Sequence, residues 1–368
     1  MSGLLLLPIQ FVQIGPAQLS QLWVLAALVF VVSRKLLRPR VVEAFVYGLF
    51  LVVALILTFA AGYERVKAVE QVIKFAVLYP AFYLVGRALG DHYLKRPLPF
   101  GYLFLAGLLA FEFAVQFFEL PVIHRYVAFM QGALYGTFKE RNWLAIFFFL
   151  CSYLLFLQSS RDIRAAALFV ALCIVVALLS ESKTILIPVG FVLLLHFRGG
   201  GVLKLIAIGA GAALFYFRFG PELSGDLLRV RLEEERGLAF MQSIDLIARD
   251  FMGYGFGFVE AHFSGWWIPI RGLGAGTNSV FSSPLDLFLI AGAVGLCMWL
   301  VFFLGVGLGW RVVGLLFPVA LWSLVNPLHQ SEIVYLFMGV LVSFGLGDRS
   351  QVLIAPVRRG PASIQGAT

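Results

Sequence analysis

The sequence predicts an all-α polytopic integral membrane protein of about twelve transmembrane helices, with eleven as the alternative. Three observations predict it. First, 61% of the 368 residues are hydrophobic and only 13% are charged, and the mean hydropathy is +0.94. A soluble domain of that size has too little interior to hide so much apolar surface, so lipid must solvate most of it. Second, several apolar windows run on the order of 20 residues with almost no charge, the length needed to cross a hydrocarbon core about 30 Å thick. Third, the runs are continuous rather than alternating. Only helices and closed barrels satisfy their backbone in hydrocarbon, and continuous runs select helices.

Taken in order, the expected spans are 4–15, 18–33, 42–62, 69–89, 99–118, 142–158, 165–181, 184–197, 204–219, 284–307, 312–325 and 332–347. The first is short, and so is the pair flanking Ser180–Thr184. Short-loop cations set the orientation. Arg34, Lys35, Arg38 and Arg40 cluster, followed by Lys95 with Arg96, Arg161 with Arg164, Arg198 with Lys204, then Arg311, Arg349, Arg358 and Arg359. With twelve spans they all fall on one side, the cytoplasmic one, as do both termini. Residues 1–347 then form a single transmembrane domain, with 220–283 as its large outer loop. The tail 348–368 is small, polar and basic, and is expected to be disordered and cytoplasmic.

The formal charge is +8, from 28 Lys and Arg against 20 Asp and Glu. In a soluble chain that excess would suggest nucleic acid. Here the loop positions account for it, and no nucleic-acid partner is expected. Cys151, Cys173 and Cys297 all lie in apolar runs and read as lone thiols rather than a disulfide framework. No CxxC, His-rich tract or HExxH motif indicates a metal, and no cofactor is expected.

The outer loops are an exception to the charge bias. Arg125, Lys139 and Arg141 lie in 119–141, and Arg229, Arg231, Arg236, Arg249 and Arg271 lie in 220–283. Lys183 stands in the tight turn Ser180-Glu181-Ser182-Lys183-Thr184, between two apolar runs. Solvated charges paired with loop acids explain such residues blandly. The sharper reading is an anion site at the membrane surface, because Arg grips phosphate through paired N–H donors. A lysine between apolar runs must reach the interface or an anionic partner.

Residues 236–251 read as an amphipathic helix lying on the membrane or over the bundle mouth. Leu238, Met241, Ile244, Ile247, Ala248 and Phe251 fall on one face, and Gln242, Asp245 and Arg249 on the other. Gly253-Tyr254-Gly255-Phe256-Gly257 follows, a turn that lets the backbone pass close to another group. With no strand before it and no helix pattern after it, it is not a dinucleotide fingerprint. Trp266 and Trp267 read first as interface anchors and second as a stacking platform for a sugar.

Four stretches resemble the O-antigen ligase/polymerase superfamily, polytopic glycosyltransferases that use polyprenyl-diphosphate-linked glycans. Gly136-Thr137-Phe138-Lys139-Glu140-Arg141-Asn142-Trp143-Leu144 is similar to the family's glycine–aromatic…Asn-x-Leu start of a span. Leu179-Ser180-Glu181-Ser182-Lys183-Thr184 resembles its Leu-Ser-x-Ser-Arg-Thr turn, with Lys in place of Arg. Arg236 to Gly257 resembles its Arg, amphipathic helix, Gly-x-Gly pattern. Thr277-Asn278-Ser279 with Gly292-Ala293-Val294-Gly295 resembles its His-Asn…Gly-x-x-Gly segment. Thr277 stands where ligases carry histidine, which leans the resemblance towards a polymerase.

The resemblance implies a GT-C-like fold in the bacterial inner membrane, acting at the periplasmic face without a metal. A glycan leaves its undecaprenyl-diphosphate carrier for a sugar hydroxyl. The implied partners are that donor, a glycan acceptor, the lipid bilayer and, as a candidate, a chain-length-regulating membrane protein. Arg236 and Lys183 match the family's basic positions and are first in line to bind the diphosphate, with Arg141 and Arg249 second. His262 is the histidine of the large loop and a candidate base, alongside His124 and His329 in other outer loops. Asp245 and Glu235 are carboxylate alternatives, or neutralise Arg249 and Arg236. Asn142 and Asn278 either orient the substrate or cap helices, capping being the commoner role. The rivals are an O-antigen ligase passing glycan to lipid A-core, a lipid-linked glycan flippase or transporter, and a membrane scaffold. No internal repeat of the kind transporters show is visible.

Overall fold

The computed structural model describes residues 7–8, 13–14, 17–36, 40–62, 65–92, 100–118, 133–138, 141–198, 201, 209, 235–264 and 279–347. Gln13–Ile14 (β1) and Ala17–Gln18 (β2) form a two-residue antiparallel pair, and all other regular structure among the described residues is helical. Helices follow at Leu19–Ser33 (α1), Val41–Ala61 (α2), Arg65–Ile73 (α3), Tyr79–His92 (α4), Gly101–Phe117 (α5), Arg141–Gln158 (α6), Ile163–Ser180 (α7), Leu186–His196 (α8), Glu235–Arg249 (α9), Phe258–Ser264 (α10), Ser283–Phe302 (α11), Trp310–Ser323 (α12) and Glu332–Leu346 (α13). A π-helical turn, Lys74–Leu78, joins α3 to α4. Short 3-10 turns at Lys183–Ile185 and Leu328–Gln330 precede α8 and α13.

Five of the described helical stretches are long and apolar enough to cross a membrane, and five shorter apolar helices accompany them. On α2 the buried residues Tyr47, Phe50 and Ala54 recur at helical spacing, while Phe45, Val52, Ile56 and Phe59 are exposed on the opposite side. An apolar stripe facing outward is what lipid requires, so the surface and dimensions are those of a helical membrane protein. Within the expected span 4–15, residues 7–8 are a bend and Gln13–Ile14 is strand β1, so helix at those positions is corrected; the rest of that span lies outside the described residues. The expected span 204–219, apart from residue 209, and the tail 348–368 lie outside the described residues.

The bundle centres on α4 against α13. Gly86 and Gly90 form a GxxxG pair, and a Cβ on Gly86 would lie 2.0 Å from Leu336 O. From the other side a Cβ on Gly339 would lie 2.2 Å from Tyr83 O. Only glycine lets the two backbones come this close. Tyr79 and Tyr335 then stack at 4.5 Å across the same interface.

Contacts sort the helix ends into two groups. At one end the Arg87 guanidinium donates to both oxygens of Glu43 at 2.8 and 2.9 Å, and Tyr83 Oη donates to the same carboxylate. Arg40 reaches Leu308 O at 3.2 Å, and Arg198 N donates to Arg161 O at 3.1 Å. This end carries the short-loop cations. The opposite end gathers the C-termini of α2, α5, α7 and α12 and the N-termini of α3, α6, α11 and α13. All four family-like stretches have described residues there.

Candidate functional site

The first corner of that opposite end is built from α5. Glu112 and Gln116, one helical turn apart, hold the segment before α6. Thr137 N donates to Glu112 Oε2 at 2.6 Å, and the Thr137 hydroxyl lies 2.8 Å from Oε1 and 2.7 Å from Pro8 O. Tyr135 N and Gly136 N donate to Gln116 Oε1 at 2.8 and 2.9 Å. Gly136 has φ +53°, and a Cβ there would lie 2.2 Å from Glu112 Oε2. Buried Glu112 thus fixes the family-like glycine stretch through its backbone. Leu134 N donates to Leu179 O at 2.7 Å, which draws in the end of α7.

The turn after α7 meets the start of α6. Arg141 Nη1 lies 2.9 Å from Glu181 Oε2, and Ser182 Oγ donates to Asn142 Oδ1 at 3.2 Å. Thr184 Oγ1 accepts from Trp322 Nε1 at 3.0 Å. Two of the family-like stretches are therefore in direct contact. Arg141 is half neutralised rather than free, because both partners of its exposed pair stay in water and such a pair is weak. The capping role for Asn142 is corrected. Helix α6 begins at Arg141, so Asn142 stands inside the first turn, and its side chain holds the Ser182 turn instead. Lys183 heads the 3-10 turn; its side chain lies outside the described residues.

The second corner is the glycine turn. Four successive amides, those of Tyr254, Gly255, Phe256 and Gly257, donate to Leu289 O, Ile290 O, Thr58 Oγ1 and Gln71 Oε1 at 2.7, 2.9, 2.7 and 2.7 Å. Leu289 and Ile290 end the first half of α11, which breaks at Ala291 (φ −140°, ψ 27°) and Gly292 (φ 56°, ψ −140°). The break frees two carbonyls, and the turn pairs with them. Gly253 and Gly292 are both at positive φ and pack backbone to backbone. Here too, two family-like stretches touch. The group that the glycines approach is a helix backbone rather than a ligand. A helix, α10, does follow this turn, which corrects the expectation that none would; α9 rather than a strand leads into the motif region.

The amphipathic helix exists as α9, with a face of small residues turned inward. Ala239, Ser243 and Leu246 are buried against α10 and α11, while Met241, Ile244, Ala248 and Phe251 are exposed. Small residues let α9 approach the broken helix, and the larger apolar side chains face outward. Asp245 is exposed on this helix, one turn before exposed Arg249. His262, on α10, is half-buried between a stacked Phe258 at 5.1 Å and Phe263 at 5.0 Å. Burial, and then the charge of Arg249, hold its imidazole below the usual histidine value, so the ring is neutral at physiological pH.

Not all expected site residues meet. Arg236 and Arg249 stand thirteen positions apart on one helix, about 20 Å by helical rise, so the two cannot hold one diphosphate together. The side chains of Glu235 and Arg236 lie outside the described residues, as do Asn278, Trp266, Trp267 and His124 entirely. Among the described residues no three His, Cys, Asp or Glu side chains converge as a metal site needs.

A buried polar cluster joins His329, a candidate base, to Asp286, which sequence reasoning missed. Asp286, in the first turn of α11, accepts from Ser279 Oγ at 2.6 Å and from Val280 N at 2.8 Å. His329 Nδ1 lies 3.8 Å from Asp286 Oδ2, too far for a hydrogen bond. His329 N donates to Ser283 Oγ at 3.2 Å, and that hydroxyl donates to Asn326 O at 2.9 Å. Burial pushes the His329 ring down to about 3, so it is neutral. An acid inside an apolar run, Asp286, was the available signal.

Set against known proteins, the chain matches no family model, no curated protein and no solved structure.

Proposed function

We propose that this protein is a metal-independent glycosyltransferase that polymerises or transfers undecaprenyl-diphosphate-linked oligosaccharides, crossing the bacterial inner membrane about twelve times with the end just described on the periplasmic side. The supporting observation is the pairwise meeting of four family-like stretches, far apart in sequence, at one end of the bundle. In this reading the acceptor hydroxyl attacks the anomeric carbon, and the bond to the diphosphate oxygen breaks. The diphosphate keeps that electron pair, and its charge is met by Lys183 and Arg141 in the first corner or Arg236 at the start of α9. His262, held neutral, takes the hydroxyl proton. A polymerase is favoured over a ligase because Thr277 replaces the ligase histidine.

One observation favours the rival flippase reading: α11 is a broken helix, as transporters often have. Its two freed carbonyls are, however, occupied by Tyr254 and Gly255, which leaves them no part in binding cargo. Purified protein in liposomes, supplied with a polyprenyl-diphosphate glycan alone, separates the readings. Longer glycans are expected. Transfer only after a lipid A-core acceptor is added makes it a ligase, and carrier movement without transfer overturns both enzymatic readings.

A further inference from the structure

Helix α9 carries three faces rather than the two of a simple amphipathic helix. Ala239, Ser243 and Leu246 recur at helical spacing and are buried against the bundle. One position along, Phe240, Ile244 and Ala248 recur at the same kind of spacing, and with Met241 they form an exposed apolar face. Asp245 and Arg249 lie beyond these on a third face, polar and exposed. Phe251 and Met252, just past the helix end, are 66% and 65% exposed. So many large apolar side chains side by side on a surface mark a place where something docks.

Level and charge choose the occupant. Helix α2 has 21 residues, about 31 Å by helical rise, close to the thickness of the hydrocarbon core. Its outward apolar surface runs on to Phe59, next to Thr58 in the last turn. The glycine turn packs on that turn of α2: Phe256 N donates to Thr58 Oγ1, and a Cβ on Gly255 would lie 2.5 Å from Thr58 N. The turn therefore stands at the rim of the lipid-facing surface, and Phe251 and Met252 come immediately before it in the chain. Phe251 packs edge-on against Phe288 of α11 at 5.1 Å, which fixes this apolar patch to the flank of the bundle. Charge gives the second argument. Residues 235–252 hold Arg236 and Arg249 against Glu235, Asp245 and Asp250, so the segment has no cationic excess to draw an anionic partner. What it offers is apolar area, at the edge of a surface already suited to lipid.

We propose that α9 docks on the bilayer. It lies along the rim of the bundle with its small face on α10 and α11, its large apolar face in the edge of the hydrocarbon, and Asp245 and Arg249 in water. Of the two positions open to an amphipathic helix here, on the membrane or over the bundle mouth, the three faces select the membrane. The lipid surface then braces the segment that leads into the glycine turn, and the contact is set by buried apolar area rather than by headgroup charge. The assignment does not depend on the glycosyltransferase reading.

The test uses full-length protein in phosphatidylcholine vesicles. Cys297, an exposed cysteine, is first removed as Cys297→Ala. Met241→Cys, Ile244→Cys, Asp245→Cys and Arg249→Cys are then introduced one at a time and labelled with a nitroxide, the protein without an added cysteine serving as blank. All four positions are exposed, so the substitutions leave the core untouched. Relaxation by oxygen, which concentrates in hydrocarbon, is compared with relaxation by a water-soluble nickel chelate. The oxygen-to-nickel ratio is expected to be several-fold higher at Met241 and Ile244 than at Asp245 and Arg249, and to stay so when phosphatidylglycerol is added. Nickel access as high at Met241 and Ile244 as at Asp245 places the helix in water over the mouth and overturns the proposal. Low access to both reagents at Met241 and Ile244 means a cover of protein, and spin–spin broadening there means a second copy of the chain; either overturns it as well. A difference between the faces that appears only with phosphatidylglycerol overturns the apolar basis of the contact.

Discussion

The two corners of this end of the bundle are built on opposite principles. In the glycine corner the turn's amides are spent on neighbouring helices: four consecutive ones are donated to α11, α2 and α3. In the α6–α7 corner the backbone is equally well held, by Glu112 and Gln116, but the charged side chains Arg141 and Glu181 remain in water. On the proposed reading, the difference separates scaffold from site. Four amides taken up by protein are not available to a substrate, whereas an exposed weak ion pair can exchange one partner for an anion.

The sharpest way to break this contrast is at Gly255. Its φ is +90°, and a Cβ would lie 2.5 Å from Thr58 N. Gly255→Ala is expected to cost at least about 2–4 kcal/mol and to show as lost yield and a lower melting temperature in detergent. A variant as stable as the parent would mean that the turn is not the clasp described. Next in size is Glu112→Ala, which leaves the Thr137 amide without its acceptor. A loss of about 1–3 kcal/mol is expected, with the proposed glycosyltransferase activity falling because the start of α6 is released. Thermal unfolding and transfer assays on the same preparation check both parts.

At the charged corner the stability effects are small and the functional ones carry the sign. Arg141→Ala is expected to change stability by less than about 1 kcal/mol while weakening donor binding. Glu181→Ala is expected to tighten it, because Arg141 is then released for phosphate; donor KM in the two variants should move in opposite directions. Equal movement would show that the pair only shapes the turn. The smallest effect is at His262. Burial and then Arg249 depress its pKa, so the fold favours the neutral ring. The stability this contributes is fully present above the unfolded value near 6.5 and is lost as pH falls through the folded value. As a base, His262 should keep activity somewhat below pH 6.5, and Arg249→Ala should move the acid limb of the pH–rate profile upward. A limb that stays in place in Arg249→Ala and survives in His262→Gln excludes this histidine as the base.

The sequence by itself determined most of the described helices. Apolar runs are a local property, and α2, α5, α6, α7 and α13 stand within a residue or two of where hydropathy places them. It also marked the glycine turn as a point of close approach. Tertiary structure decided what the turn approaches, that α11 breaks at Gly292, which face of α9 turns inward, and that Asp286 and His329 share one buried cluster. It also split Arg236 from Arg249 and gave Arg141 a carboxylate partner. The reason is physical. Burial in lipid is set residue by residue, whereas the pairing of freed carbonyls, small faces and charges depends on which helices become neighbours, and no single stretch of chain encodes that.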